Sequence, residues 1–344
     1  MNLVGKKILF LSANFFGYER AITQKRLESG AEVDFYNERP SDSIFTKGII
    51  RVRRKFYQKK INRYYRKISE DIINKKYDFL LLIKGETIPF FFLEDFRKKN
   101  PSAKMIFYSY DSVQEYPRFL QLYSYFDSNF TFEPADALQY KLYFRPLFFL
   151  NEYADSSDHL DRRKYEVVFI GSAHTDRYLI GQKIRELCDQ LKLKSYFYYY
   201  APSKLTFFLK KIFDKNLQEF DHKKLSFQKL SHAEIAEIYK NSFAVLDINK
   251  PFQKGISMRT FEALAAGKKI LTTNSDIQNY PFYSSENIHI LDRNDLFINE
   301  AFFQTPFQNI DADILEKMSL DSFISCLFVK HQEDFWNIAE KKFI

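Results

Sequence analysis

Short apolar runs rich in β-branched and aromatic residues alternate with longer amphipathic stretches almost throughout this 344-residue chain, and that alternation leaves few folds open. Strand, helix, strand in succession implies parallel pairing, because the helix carries the chain back before the next strand begins. Runs at Lys7–Ser12, Glu32–Tyr36, Asp78–Lys84 and Lys104–Tyr110, with shorter ones at Ser128–Phe132 and Arg145–Phe148, predict one doubly wound sheet. A second series at Tyr165–Gly171, Ser195–Tyr200, Phe243–Ile248, Lys269–Thr273 and Ile288–Leu291 predicts another. Helices are expected from about Tyr18 to Gly30, with the glycine at the C-terminal cap, and over Arg177–Leu191, Ser231–Tyr239 and Arg259–Ala266. Ser231-His232-Ala233-Glu234 reads as a capping box and so marks a helix start. The polar stretch Asn151–Lys164 separates the two series. The expected organisation is therefore α/β, with domains at 1–150 and 165–344 joined by a linker at 151–164.

Composition narrows the functional classes. No run reaches the ~18–20 apolar residues that span a bilayer. The opening residues read as the start of a strand and lack the pattern of a signal peptide. Cys188 and Cys326 have no metal-ligand spacing and are expected to be free thiols of a reducing cytoplasm. The formal net charge of +8 favours anionic partners such as nucleotide phosphates or lipid headgroups. Phe (38) and Tyr (23) are abundant alongside Lys, Ile and Asn, a compositional bias, so most rings are expected in the core. Nucleic acid is not an expected partner, because the basic charge is concentrated in one local stretch with no RNA-binding signature.

Four segments carry candidate chemistry. The first runs from Gln253 to Gly267: a glycine-containing turn, a helix start, then the strand from Lys269. A helix N-terminus there would present free N–H groups to an anion, with Lys254 and Arg259 beside it. Glu262 would be placed to accept hydrogen bonds from ribose hydroxyls, or merely to favour the helix dipole. In the second, Gly171 and Ser172 end a strand at the usual ligand-binding edge of an open α/β sheet, and His174 and Arg177 are within reach of a phosphate. In the third, Glu86, Asp111 and Glu133 each follow a strand of the first sheet, and one could act as a general base for a hydroxyl. Asp111 alternatively caps a short helix. The fourth is Arg51–Lys67, cationic, free of acids and interleaved with rings. It would either be a solvated face or hold an anionic membrane surface through residues such as Arg53, Arg54, Lys59 and Lys60. Lys204–Lys215 is a second amphipathic stretch, read equally well as a helix packed on the core. No zinc spacing, P-loop lysine, nucleophile elbow or Asp-x-Asp metal motif is found, so no metal or cofactor is expected.

Gly255–Thr273, with Glu262-Ala263-Leu264-Ala265-Ala266-Gly267 on its helix, resembles the C-terminal signature of GT-B glycosyltransferases of the group 1 and CgeB-like kind. Phe169-Ile170-Gly171-Ser172 with Arg177 looks like the opening of the same domain. Tyr110-Asp111-Ser112, Phe132-Glu133-Pro134-Ala135-Asp136 and Arg145-Pro146-Leu147 are similar to stretches of CgeB-like proteins encoded with bacterial capsule and lipopolysaccharide genes. The resemblance implies GT-B architecture, two Rossmann-like domains facing a cleft, and a metal-independent transfer of sugar from a nucleotide sugar to a saccharide acceptor, often lipid-linked, in surface polysaccharide assembly. It implies that Glu262 binds ribose and that Ser257, Met258, Arg259 and Thr260 meet the diphosphate. One departure is that the position eight residues before Glu262, a second glutamate in many retaining members, holds Lys254. That favours a cationic contact to the diphosphate. If the enzyme inverts, Asp111 is the favoured base over Glu86 and Glu133; if it retains, these residues bind acceptor. A non-catalytic subunit binding nucleotide sugar or polysaccharide, and a nucleotide-sugar epimerase, are the alternatives on this fold. The expected location is cytoplasmic, at the inner face of the membrane.

Overall fold

A computed structural model of the chain describes residues 3–41, 44–154, 163–329 and 335–336; the side chains of 44–56, 206, 210 and 213 fall outside the description. Two compact units form. One takes the chain as far as Pro146 together with the described residues from Asp321 on; the other is Leu147–Leu320.

In the first unit, β1 (Lys7–Ser12), α1 (Tyr18–Glu28), β2 (Glu32–Asn37), α2 (Ile44–Asp71), β3 (Phe79–Ile83), α3 (Phe90–Lys99) and β4 (Lys104–Ser109) follow one another. Then come α4 (Phe119–Leu122), β5 (Ser128–Thr131), α5 (Pro134–Tyr140) and β6 (Tyr143–Phe144). The strands make a parallel sheet in the order β2-β1-β3-β4-β5-β6 among the described residues. β3 reads Phe-Leu-Leu-Leu-Ile without alternation because helices cover both of its faces and every residue is buried. Each such side chain contributes about 1.5–3 kcal/mol relative to exposure. Edge strand β2 is only half-buried. α2 turns Ile61, Tyr65 and Ile68 inward at helical spacing, and Ile72 just after it continues the stripe, onto Leu80, Leu82 and Phe92.

In the second unit, β7 (Tyr165–Ser172), α6 (Arg177–Gln190), β8 (Ser195–Tyr200), α7 (Lys204–Phe213), α8 (Lys215–Gln218), β9 (Leu225–Ser226) and α9 (His232–Lys240) lead to β10 (Ser242–Asp247). α10 (Met258–Ala265), β11 (Lys269–Thr272), β12 (Ile288–Ile290) and α11 (Ala312–Lys317) follow. This sheet is also parallel, in the order β12-β11-β10-β7-β8-β9. The capping box at Ser231 opens α9 as read from the sequence.

Two departures have physical reasons. Arg145–Phe148 is buried but is not a strand; the ladder ends at Phe144. An apolar run reports burial and not hydrogen bonding, and Pro146 has no N–H to give. The C-terminal stretch was expected with the second domain. Instead α12 (Leu320–Phe328) packs within the first unit: the Phe328 ring lies 5.2 Å from Phe79 and Phe323 lies 4.8 Å from Tyr108. Positions 155–162 of the expected linker lie outside the described residues.

Candidate functional site

Strand order locates the ligand edge of each sheet. The chain begins at β1, moves outward to β2, then crosses to β3 on the other side. In the second unit it begins at β7, moves outward through β8 and β9, then crosses to β10. Crossover helices change face at such a reversal, which opens a crevice beyond the carboxyl ends of the two central strands. The polar residues of each unit gather at that edge.

In the second unit, Asp247 ends β10 with its side chain buried. It accepts hydrogen bonds from Ser257 Oγ (2.8 Å) and Thr260 Oγ1 (2.8 Å) and pairs with Arg259. The Arg259 guanidinium also donates from Nε (3.0 Å) and Nη2 (2.8 Å) to the Ile170 carbonyl of β7. Burial works against its charge, but Asp247, Tyr239 and Glu262 together outweigh burial and hold its pKa above the usual value. Arg259 therefore ties α10 to both central strands. Gly171 makes room for it: a Cβ there would stand 2.7 Å from Phe169 Cζ and 2.9 Å from Arg259 Nη2. Thr260 is fully buried on Asp247, and Met258 is buried. Lys254 is exposed, and Ser172 is half-buried at the strand end.

Arg177, at the start of α6, donates from Nε to the Ile248 carbonyl (2.9 Å) and from Nη1 to His174 Nε2 (3.0 Å). A guanidinium only donates, so His174 accepts at Nε2 and carries its proton on Nδ1, toward Thr175 Oγ1 (3.3 Å). A third guanidinium joins them. Arg293, in the turn after β12, pairs with Asp176 and donates to Asn249 Oδ1 (2.6 Å) and Thr273 Oγ1 (3.0 Å). Burial and then the Arg259 charge push Arg177 down to about 9; Asp247 and Asp176 oppose this and Arg293 adds to it. Arg177 is still charged at neutral pH. Positive charge here exceeds what the two aspartates neutralise.

The same network strips two helices of their caps. Asp176 stands at the N-cap of α6 and Ser257 at the N-cap of α10, and neither side chain bonds its own helix. Asp176 is turned to Arg293 and Ser257 to Asp247. The leading amides of both helices thus lack their own N-cap side chain as acceptor, on elements that start at the carboxyl edge of the sheet.

Glu262 is buried in the second turn of α10. Its carboxylate lies 3.8 Å from His232 Nδ1, which in turn lies 2.8 Å from the Tyr153 hydroxyl. Burial, and next the Glu262 charge, push the Tyr153 hydroxyl far up.

In the first unit the cluster sits beyond β2, β3 and β4. Lys84 follows β3 with φ +88°, a backbone setting that costs a residue with a side chain, and Gly85 comes next at +75°. Lys84 Nζ lies 3.2 Å from Glu86 Oε1 and 3.1 Å from Asp111 Oδ2. Arg39 Nε donates to the other Glu86 oxygen at 2.8 Å. Burial would raise the Glu86 pKa, but Lys84 and Arg39 outweigh it and hold it well below the usual range. Glu38 goes the other way: burial first and Glu86 second push it up, and its Oε2 is buried without a hydrogen-bond partner. Asp111 does not cap a helix; Val113 N donates to Asp136 instead (2.7 Å). Of the three carboxylates predicted at strand ends, Glu86 and Asp111 meet on Lys84. Glu133 stands buried at the N-cap of α5.

Lys59 and Lys60 are exposed on α2, while the side chains of Arg53 and Arg54 lie outside the described residues. Among the described residues, no group of three or more His, Cys, Asp or Glu side chains is placed to hold a metal ion, and no helix is long and apolar enough to cross a membrane. Sequence reasoning missed Asp247, Asn249, Arg293, Arg39 and Glu38. Each ends a strand or follows one closely, so asking which polar residues lie at the carboxyl edge of every strand would have found them.

No protein-family model matches the chain, and no curated protein matches it. Among solved structures, Anabaena Alr3699/HepE in complex with UDP-glucose is similar at a TM-score of 0.53 and 11% identity, over 98% of this chain and 99% of that one. A trehalose-phosphate synthase from Burkholderia xenovorans in complex with glucose-6-phosphate is similar at 0.49 and 11% identity, over 97% and 96%. The catalytic domain of starch synthase IV from Arabidopsis thaliana, bound to ADP and acarbose, is similar at 0.48 and 13% identity, over 98% and 95%. With two parallel six-stranded sheets, each wound from an internal reversal point, and a likeness to HepE along nearly its whole length, the chain has the GT-B fold of two Rossmann-like units.

Proposed function

We propose that this protein is a glycosyltransferase that binds a nucleotide-sugar donor at the carboxyl edge of its second sheet and transfers the sugar to a saccharide acceptor. The observation that carries the reading is the pair of helix N-termini, α6 and α10, whose cap side chains are diverted to Arg293 and Asp247. Uncapped amides beside an excess of guanidinium charge suit a diphosphate, which would offset the mutual repulsion of Arg177, Arg259 and Arg293. Arg259 would act from its latched position, by field rather than by a free head group. Arg177 opens α6, and Lys254 lies in the turn before α10. Glu262 would receive the ribose hydroxyls, with His232 and Tyr153 fixing its carboxylate.

These cations and dipoles would stabilise the leaving nucleoside diphosphate, so the transfer is proposed to need no metal. The base would be Asp111. Glu86 is held between Lys84 and Arg39 and is a weak proton acceptor at its low pKa, and Glu133 is buried. The acceptor is proposed to be lipid-linked, with the enzyme working at the inner face of a bacterial membrane in surface polysaccharide assembly.

Incubation with nucleotide sugars and saccharide acceptors tests this. Acceptor-dependent release of nucleoside diphosphate, undiminished by EDTA, is the expected result. Sugar rearrangement without acceptor would indicate an epimerase. Binding without turnover for every acceptor tried would indicate a binding subunit.

A further inference from the structure

Helix α7 presents its apolar side to solvent. Leu205 is 71% exposed, Phe208 48%, Leu209 51% and Ile212 66%. At 100° per residue these four positions fall within a sector of about 100°. Phe207, on the opposite side, is buried and packs against Phe220 with ring centroids 5.1 Å apart. Among the described side chains, Phe207 anchors the helix in its unit's core, while the larger apolar surface faces outward. A contiguous patch of this kind on a soluble surface marks a contact site.

Charge around the patch says what it meets. α7 holds Lys204, Lys210 and Lys211 and no acid. Lys204 is exposed beside the stripe, with its Nζ 5.8 Å above the Phe227 ring, itself 37% exposed, and Lys215 is exposed on α8. Of the acids that follow α7, Asp214 and Asp221 accept from the backbone N–H groups of Asn216 and Lys223, and Glu219 is exposed. Lys223 is exposed on the segment that receives Phe207's neighbours. An apolar stripe beside which lysines outnumber acids matches the boundary of an anionic bilayer, where rings and aliphatic chains enter among the acyl chains and lysines reach the phosphates.

We propose that α7 is a membrane-docking element that lays Leu205, Phe208, Leu209 and Ile212 into the surface of an anionic lipid bilayer. The surface of α2 differs. Among the described side chains of α2, Ile61, Tyr65 and Ile68 are buried in the core, and Lys59 and Lys60 are exposed. The docking role of α7 is independent of the donor chemistry at α10.

The test is sedimentation of the full chain with vesicles of phosphatidylcholine, with and without phosphatidylglycerol. The wild type is expected to sediment with the anionic vesicles. The quadruple variant Leu205→Gln, Phe208→Gln, Leu209→Gln, Ile212→Gln should lose at least about tenfold in partition, since binding scales with the apolar area inserted. Its melting temperature should be retained, because none of the four residues is in the core. A Phe208→Trp reporter should shift its emission to the blue on anionic vesicles. The proposal is overturned if the wild type ignores the vesicles, or if the quadruple variant sediments unchanged. It is equally overturned if binding is lost on Lys59→Gln with Lys60→Gln in α2 while the indole emission of the Phe208→Trp reporter stays unshifted on the vesicles. A lipid-free dimer that the quadruple variant dissolves, with no vesicle binding, would assign the face to a second copy of the chain.

Discussion

Arg259 and Glu262 lie one turn apart on α10, and the structure gives them different work. Arg259 was read as a diphosphate contact; in the structure its guanidinium also bridges Asp247 and the Ile170 carbonyl. Spacing showed a cation at a helix start but not its partners, because Asp247 lies on another strand. Truncating Arg259 to Met leaves Asp247 buried without its counter-charge, so a loss of about 3–5 kcal/mol in unfolding free energy is expected in denaturant titration. For Glu262→Gln the expected change is in binding: roughly 1.5–3 kcal/mol weaker nucleotide affinity, with the melting temperature little altered. Titration calorimetry checks it, and unchanged affinity removes Glu262 from the site. Glu38 gives a signature in pH. Its pKa is raised from 4.5 to about 7, so the fold favours the protonated acid. The stabilisation is full below about 4.5 and fades as pH rises through about 7. Glu86, shifted down, contributes in the opposite sense, with stability present above 4.5 and lost in acid. Melting curves should therefore show wild type losing ground to Glu38→Gln between those two values; parallel curves would mean that Glu38 is not a held acid.

At the scale of elements, much of the fold was legible where a segment's own pattern decides its state. β1 and β8 fall at their expected limits, and β3, β4, β7, β10 and β11 within a residue or so, since buried parallel strands are continuous apolar runs. β9 was invisible because two residues carry no period. α7 was left open between two readings, because an amphipathic pattern does not say which side meets protein; the exposed leucines and isoleucine settle that the stripe is not core. The turn from β7 into α6 is another place where pattern falls short. Gly171 was read as an opening for a ligand, and its missing Cβ is already filled by Phe169 and Arg259. Gly171→Ala is accordingly expected to destabilise by about 1–3 kcal/mol, as overpacking does. A ligand-only role for Gly171 would leave denaturant midpoints untouched.

For the whole molecule, the two sheets could be counted from the sequence, while the return of the chain to its first unit could not. Phe323 and Phe328 announce burial, but Tyr108 and Phe79, their partners, are more than two hundred positions away in the chain. The functional account rests on the second unit taking a nucleotide sugar where α6 and α10 begin. A ligand at ~100 times its dissociation constant adds ~2.7 kcal/mol to stability. Melting the protein with UDP-, GDP-, dTDP- and CMP-sugars in the presence of EDTA is the most direct test. The account predicts a saturable rise in melting temperature with the sugars of one nucleotide, weakened in Glu262→Gln. No rise with any of them in the folded wild type would contradict it.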